Sequence, residues 1–374
     1  MRYPTAFLVL ATALGCGLLA APAHADEPAA SISEKPPPPP PSPARRALAT
    51  GAAIVPGLVL HGAGHAALGK WQIAWPILGV EMLGLGLGAA GAFTFWYSGA
   101  ARDLVGPATA LTLVGGGLLG FSWLADVYGV LAPPGGTGAP DRILPHVEVA
   151  LGYRYVHDPR FSYRNLAGAA LDLRLRPVRL SASAWGALDA GNQRLRASVA
   201  YRFLGPQPFK DKTAPAEDGS FVEVSLGVTH HAYQNEGFGL TLAEGFAFGR
   251  LDLARLGPTL EGSFAEMGLG WALGGYDYAH APGEAASLLL MRAAIGIYLG
   301  SPGDPHGEVS LFYDHRHDDY AAGLMMPGIV SGVLGHFGLG GTFYMTERLG
   351  FGLEAQIGSA VVAGFSLRYR GGMR

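Results

Sequence analysis

From about Leu144 to the C-terminus the chain alternates apolar and polar residues with a period of two, in segments of eight to fourteen residues set apart by turn residues. Successive side chains of a strand point to opposite faces, so each segment has one greasy and one wet side. Over 143–156, Val147, Val149, Leu151, Tyr153 and Tyr155 oppose His146, Glu148 and Arg154. Leu171, Leu173 and Leu175 oppose Asp172, Arg174 and Arg176, while Leu195, Ala197, Val199, Tyr201 and Phe203 oppose Arg194, Arg196, Ser198 and Arg202. Val222, Val224, Leu226 and Val228 stand against Glu223, and Val309, Leu311 and Tyr313 against Glu308 and Asp314. Near the end, Leu349, Phe351, Leu353 and Ile357 oppose Arg348 and Glu354, and Phe365, Leu367 and Tyr369 oppose Arg368 and Arg370. About eleven such segments can be counted, with 237–257 and 320–345 too glycine-rich to alternate cleanly.

A soluble sandwich alternates in the same way with its apolar face inward, so sidedness has to come from elsewhere. Only 15% of residues are charged, 49% are hydrophobic, glycine numbers 57 and mean hydropathy is positive, a balance that suits a membrane better than a water-facing surface. The N-terminus carries Arg2, an apolar stretch from Ala6 to Ala21 and Ala23-His24-Ala25, the order of a secretory signal cut after Ala25. Tyr153, Tyr155, Tyr201, Phe203, Tyr313 and Tyr369 fall toward segment ends, where an interfacial girdle would lie. Strands can cross lipid only when every backbone donor is paired, which requires a closed sheet. The expected fold is an all-β transmembrane antiparallel barrel over 144–374, of twelve strands with ten or fourteen tolerable, preceded by a small Gly/Ala-rich apolar helical region.

The sole cysteine, Cys16, lies inside the signal stretch; a lipidated Cys16 is the lesser reading, and cleavage after Ala25 leaves no thiol for disulfide, catalysis or metal. Residues 26–46, with six prolines from Pro36 to Pro41, read as a stiff disordered spacer rather than a ligand for a proline-binding groove. Over 47–132, three apolar runs at 47–68, 71–97 and 104–132 approach the length of a membrane-crossing helix and lack period-two alternation. Gly84-x-x-x-Gly88 and Gly116-x-x-x-Gly120 are spaced for close helix contact. Glu81 and Asp126 are the acids inside these runs, and His61 and His65 are placed four apart on one helical face; packing roles outweigh functional ones for all four. Gly86 to Gly91 spells a dinucleotide-binding glycine pattern, but no strand precedes it and no acid follows at ribose distance. A net charge of −3 with no basic cluster argues against nucleic acid as a partner.

In these features residues 144–374 resemble bacterial outer-membrane β-barrel proteins, and Gly364-Phe365-Ser366-Leu367-Arg368-Tyr369 is similar to the C-terminal strand by which such proteins are recognised. The ending Gly-Gly-Met-Arg departs from the usual aromatic finish. The resemblance implies an outer-membrane location, lipid surroundings and insertion by the barrel assembly machinery. A linker from Pro133 to Leu144 reaches at most roughly 40 Å, so the helices are expected against, within or beneath the barrel.

The inward face predicts a lumen lined by Glu148, Arg154, Asp172, Arg174, Arg176, Arg179, Arg194, Arg196, Arg202, Glu223, Arg292, Glu308, Asp314, Arg348, Glu354 and Arg368. Arginine excess fits a small anion-preferring pore of structural or transport type; the competing reading pairs these charges into a network that fills a narrow bore. A lipid-modifying enzyme, hydrolase or acyl-modifying, is the alternative, with His315, His317, Asp319 and His336 as the candidate catalytic residues around the 314–319 cluster. No Gly-x-Ser-x-Gly, His-Glu-x-x-His or phosphate loop occurs, and no metal or cofactor is expected.

Overall fold

A computed structural model describes residues 41–99, 101–141, 144–157, 164–206, 218–233, 237–278, 281–301, 305–315, 335–358 and 360–372. The signal segment and most of the proline-rich spacer lie outside them. The spacer is nevertheless shorter than expected: Ser42 caps α1 (Pro43–Ile54) by accepting the Arg45 N–H at 3.3 Å, and Pro43 starts the helix where an amide hydrogen would be idle.

The first apolar run is not one helix. After α1 the chain makes a 3-10 turn at Pro56–Leu58, passes Gly62 at φ 90° and forms the short α2 (Ala63–Ala67). Proline and a left-handed glycine interrupt what composition alone offers as a span. The other two runs do form long helices, α3 (Trp71–Ser98) and α4 (Arg102–Leu131), and the dinucleotide-like glycines lie inside α3. These two pack face to face through small residues. A Cβ at Gly115 would stand 2.5 Å from the Gly88 nitrogen and 2.6 Å from the Gly84 oxygen, and one at Gly91 would strike Thr112 and Ala108. Gly116 and Gly120, the second expected motif, face open space, because one residue of offset turns a helix by roughly 100°.

Twelve strands follow: β1 (Val147–His157), β2 (Asn165–Leu175), β3 (Val178–Ala187), β4 (Gln193–Leu204), β5 (Phe221–Tyr233), β6 (Phe238–Asp252), β7 (Ser263–Tyr278), β8 (Ala281–Leu299), β9 (His306–Asp314), β10 (His336–Tyr344), β11 (Leu349–Ile357) and β12 (Val361–Gly371). Each pairs antiparallel with its sequence neighbours, and β12 pairs with β1 from Val147↔Gly371 to His157↔Val361. The sheet is therefore a closed barrel with no free edge. We call the end where β1 begins and β12 stops the terminal end, and the other the distal end.

The outward side chains are the apolar set read from the alternation. Leu151, Leu226, Leu273, Leu311, Leu353 and Leu367 are each about half exposed or more, an apolar girdle that has no place in water. The strip over β7 and β8 is the exception, where Ala265, Leu269, Met291 and Ala293 are buried beneath α4. A Cβ at Gly117 would meet Ala293, Met291 and Met267 at 3.2 to 3.4 Å, so the helix lies directly on the barrel wall. The helical hairpin thus packs against the outside of the barrel, the first of the three placements open to it.

A buried polar clamp fixes that arrangement at the terminal end. Asp126 accepts the backbone N–H groups of Gly62, Gly64 and His65 at 2.9 to 3.1 Å and the His65 ring Nδ1 at 2.6 Å, capping α2 with a carboxylate. Glu81 accepts the His61 N–H at 3.0 Å, and His61 Nδ1 lies 2.6 Å from Ser122 Oγ. His65 Nε2 reaches Thr259 Oγ1 at 2.9 Å, on the β6–β7 connection, while Tyr128 donates to the Glu261 carbonyl at 2.7 Å. The four ionisable residues singled out in the helices are therefore packed, with both imidazoles oriented by hydrogen bonds.

Candidate functional site

Inside the barrel the fold gathers many ionisable groups. Inward positions of β1 to β5 bring Glu148, Asp172, Arg174, Arg179, Arg202 and Glu223 to the terminal half of the lumen, joined by Glu308 from β9 and Arg368 from β12. They meet in pairs. Arg179 and Arg202 both donate to Glu223, at 2.5 and 3.0 Å, and Arg368 donates to Glu148 at 2.9 Å, with Arg174 3.7 Å from the same carboxylate. Nearer the middle, Arg154 pairs with Glu354 at 3.1 Å, Arg292 with Asp314 at 3.5 Å, and Arg196 with Glu244. Arg194 also faces inward and is buried.

Residues absent from the predicted lumen lining hold this network together. Arg250 on β6 bridges Glu266 on β7 (2.6 Å) and Glu308 on β9 (2.7 Å). Arg370 pairs at 2.6 Å with Asp141, which belongs to the linker from the helices, and His306 Nε2 lies 2.9 Å from the same side chain. The linker therefore enters the terminal mouth, where Ala139, Pro140 and Leu144 also line the lumen. Inward aromatics carry the guanidinium planes: Arg202 lies 4.2 Å from the Phe221 ring, Arg250 4.0 Å from Phe264, Arg292 4.5 Å from Phe312 and Arg154 4.5 Å from Trp185. Stacking fixes each guanidinium while its edge stays free for carboxylates.

Around this network lies a cavity of about 500 Å³, lined by eight arginines and six carboxylates together with Tyr298, His306 and Tyr344. Above it the lumen changes character. Val156, Leu166, Tyr233, Leu240, Leu242, Leu288, Leu290 and Val362 point inward, touch one another and are almost wholly buried. Trp185 and Phe238 pack against them.

Two lumen positions are corrected. Arg176 and Arg348 do not face the lumen: each lies in an exposed hairpin turn, one between β2 and β3 and the other between β10 and β11, where the alternation had been carried past the strand ends. Of the candidate catalytic residues only His315 and His336 can be placed, and they take opposite faces of the wall. His336 pairs in register with the inward Asp314, while His315 takes the opposite parity and its Nδ1 lies 3.0 Å from Tyr313 Oη on the outer side. His317 and Asp319 lie outside the described residues. Among the described residues no group of three His, Cys, Asp or Glu is placed to hold a metal ion.

No family model matches the sequence, and no curated protein does either. Solved barrels do match in shape. The KdgM porin is 9% identical with a TM-score of 0.33, the match covering 59% of this chain and 98% of that one. The NanC porin is 9% identical at TM-score 0.36, over 61% and 100%, and the outer-membrane protein Omp33 of Acinetobacter baumannii is 9% identical at 0.31, over 62% and 100%. The likeness is one of barrel architecture alone. It covers about three fifths of this chain.

Proposed function

We propose that the protein is an outer-membrane barrel of transport type, a narrow pore whose arginine-rich vestibule takes small anions. The observation that carries this reading is the luminal cavity, where arginines outnumber carboxylates and all are fixed in place by ion pairs and aromatic stacking. Preorganised guanidinium groups in a confined space raise the local potential and favour anions over cations. The apolar cluster at the distal end and the linker across the terminal mouth oppose free flow, so conduction in the described state is small. The same reading places the chain in the outer membrane after cleavage behind Ala25, surrounded by lipid and inserted by the barrel assembly machinery through β12.

The test is reconstitution in planar bilayers under a salt gradient. The expected result is small conductance steps whose reversal potential lies on the anion side, and Arg202→Glu together with Arg174→Glu moves it toward cations. Folded protein that shows no steps, either as wild type or with the distal cluster opened by Leu240→Ala and Leu288→Ala, overturns the pore.

A further inference from the structure

Among the described residues nothing covers the outer face of α3. Along that face Trp75, Met82, Leu83, Leu85 and Phe93 are all exposed, Trp75 at 62% and Phe93 at 59%. Its one ionisable residue, Glu81, is turned inward and buried against the His61 peptide. The other charged residues of the hairpin are Lys70 before α3, Arg102 and Asp103 at the start of α4, and Asp126, which is buried in the clamp. From Trp75 to Phe93 the helix rises roughly 27 Å, close to the apolar band of about 25 Å expected of an outer-membrane barrel. Aromatic rings therefore mark both edges of an outer face of bilayer thickness that carries no charge, with Trp71 beyond one edge and Trp96 and Tyr97 beyond the other.

The hairpin's position supplies the second, independent constraint. It stands on the outward residues of β7 and β8, the same surface that is bare and apolar around the rest of the barrel. A helix lying on a lipid-facing wall is itself at lipid depth. Small-residue packing between α3 and α4, through Gly84, Gly88, Gly91 and Gly115, is the mode that holds helices together where water cannot drive association.

We propose that α3 and α4 cross the outer membrane beside the barrel, with the outer face of α3 in contact with lipid acyl chains. The chain then spans one bilayer with twelve strands and two helices, and the β7–β8 wall exchanges lipid for protein. Glu81, Asp126, His61 and His65 become a buried polar lock on the terminal side of the hairpin, which is tied to the β6–β7 connection through Thr259. The inference rests on the membrane reading of the barrel but not on the pore.

Cys16 is the only cysteine of the sequence, so in a Cys16→Ala background the variants Leu85→Cys, Ala89→Cys and Leu273→Cys each carry one reporting thiol. Each is labelled with an environment-sensitive fluorophore in phosphatidylcholine vesicles that carry nitroxide groups on the acyl chains, and heat-modifiable migration of the barrel verifies folding. Labels at Leu85 and Ala89 are expected to lose as much fluorescence as the label at Leu273 on the barrel wall, and to resist a water-soluble quencher. Quenching from water at Leu85 and Ala89, or protection from both quenchers with crosslinking between copies, overturns the proposal while Leu273 stays lipid-quenched. Loss of lipid quenching at Leu273 itself defeats the membrane reading of the barrel instead.

Discussion

At the terminal end of the lumen the inward side chains are arginines and carboxylates that meet in pairs; toward the distal end Tyr233, Leu240, Leu288 and Val362 belong to one apolar cluster, with His231 hydrogen-bonded to the Tyr233 hydroxyl at its side. The same twelve strands, in the same alternation, build both. The difference lies in how each half responds to a missing partner. An ion-paired wall tolerates water and solutes because its groups stay solvated when they separate, whereas an apolar cluster holds by contact and exclusion of water. In the proposed pore, a solute that enters the vestibule meets fixed charge first and the apolar constriction beyond it.

The strongest way to break this comparison is to remove the hub of the charged half. Arg250→Met leaves Glu266 and Glu308 facing each other without their shared cation, and a buried ionic group deprived of its partner costs about 3–5 kcal/mol. Denaturant unfolding in detergent micelles reads this directly; a cost below about 1 kcal/mol marks the vestibule as so wet that its pairs behave like surface ones. Leu240→Ala tests the apolar half. Leu240 is 1% exposed, so truncation is expected to cost about 2–4 kcal/mol and to enlarge single-channel conductance, since it opens the constriction. Stability lost without any change in conductance separates the cluster from the gate.

A smaller effect is expected at the terminal mouth, where Asp141→Asn removes one ionised partner of Arg370 and His306 and frees the linker. A loss of about 1 kcal/mol and a higher open probability at fixed unit conductance are the expected outcomes. Unchanged gating confines Asp141 to a structural tie.

The charged half was legible in the sequence wherever the two faces of a strand contrast, as in Leu195 to Phe203 against Arg194 to Arg202. On β6 the contrast is lost. Its inward face is Leu240, Leu242, Glu244, Phe246, Phe248 and Arg250, and its outward face is Gly239, Thr241, Ala243, Gly245, Ala247 and Gly249. The greasy side there faces the lumen, so a rule that sends apolar residues to lipid missed both Arg250 and the start of the distal cluster. Asp141 and its pairing with Arg370 were missed for another reason, since only barrel closure and the linker's return bring the two residues together. Periodicity reports the face of a residue and not its neighbour across 200 residues or more. The helices show the same limit: their lengths were readable, but the use of Gly115 rather than Gly116 depends on the docked face of α4.

The smallest expected effect contrasts the enclosed pairs with one on the rim. Asp218 and Arg255 join the β4–β5 and β6–β7 connections at the terminal end, outside the strands, and both are partly exposed. Burial alone would raise the Asp218 carboxyl, but the Arg255 guanidinium and the Ser220 N–H hold it below the ordinary carboxylate range. A carboxyl whose folded pKa is depressed contributes stability that is present above its unfolded pKa and is lost as pH falls through the folded one. Asp218→Asn is therefore expected to cost only about 0.2–1 kcal/mol at neutral pH, and the gap to wild type should close in mild acid. Unfolding midpoints measured from neutral to acid pH check the sign. A gap that persists in acid assigns the effect to loop packing, whereas a gap as large as that of Arg250→Met erases the distinction between the rim and the lumen.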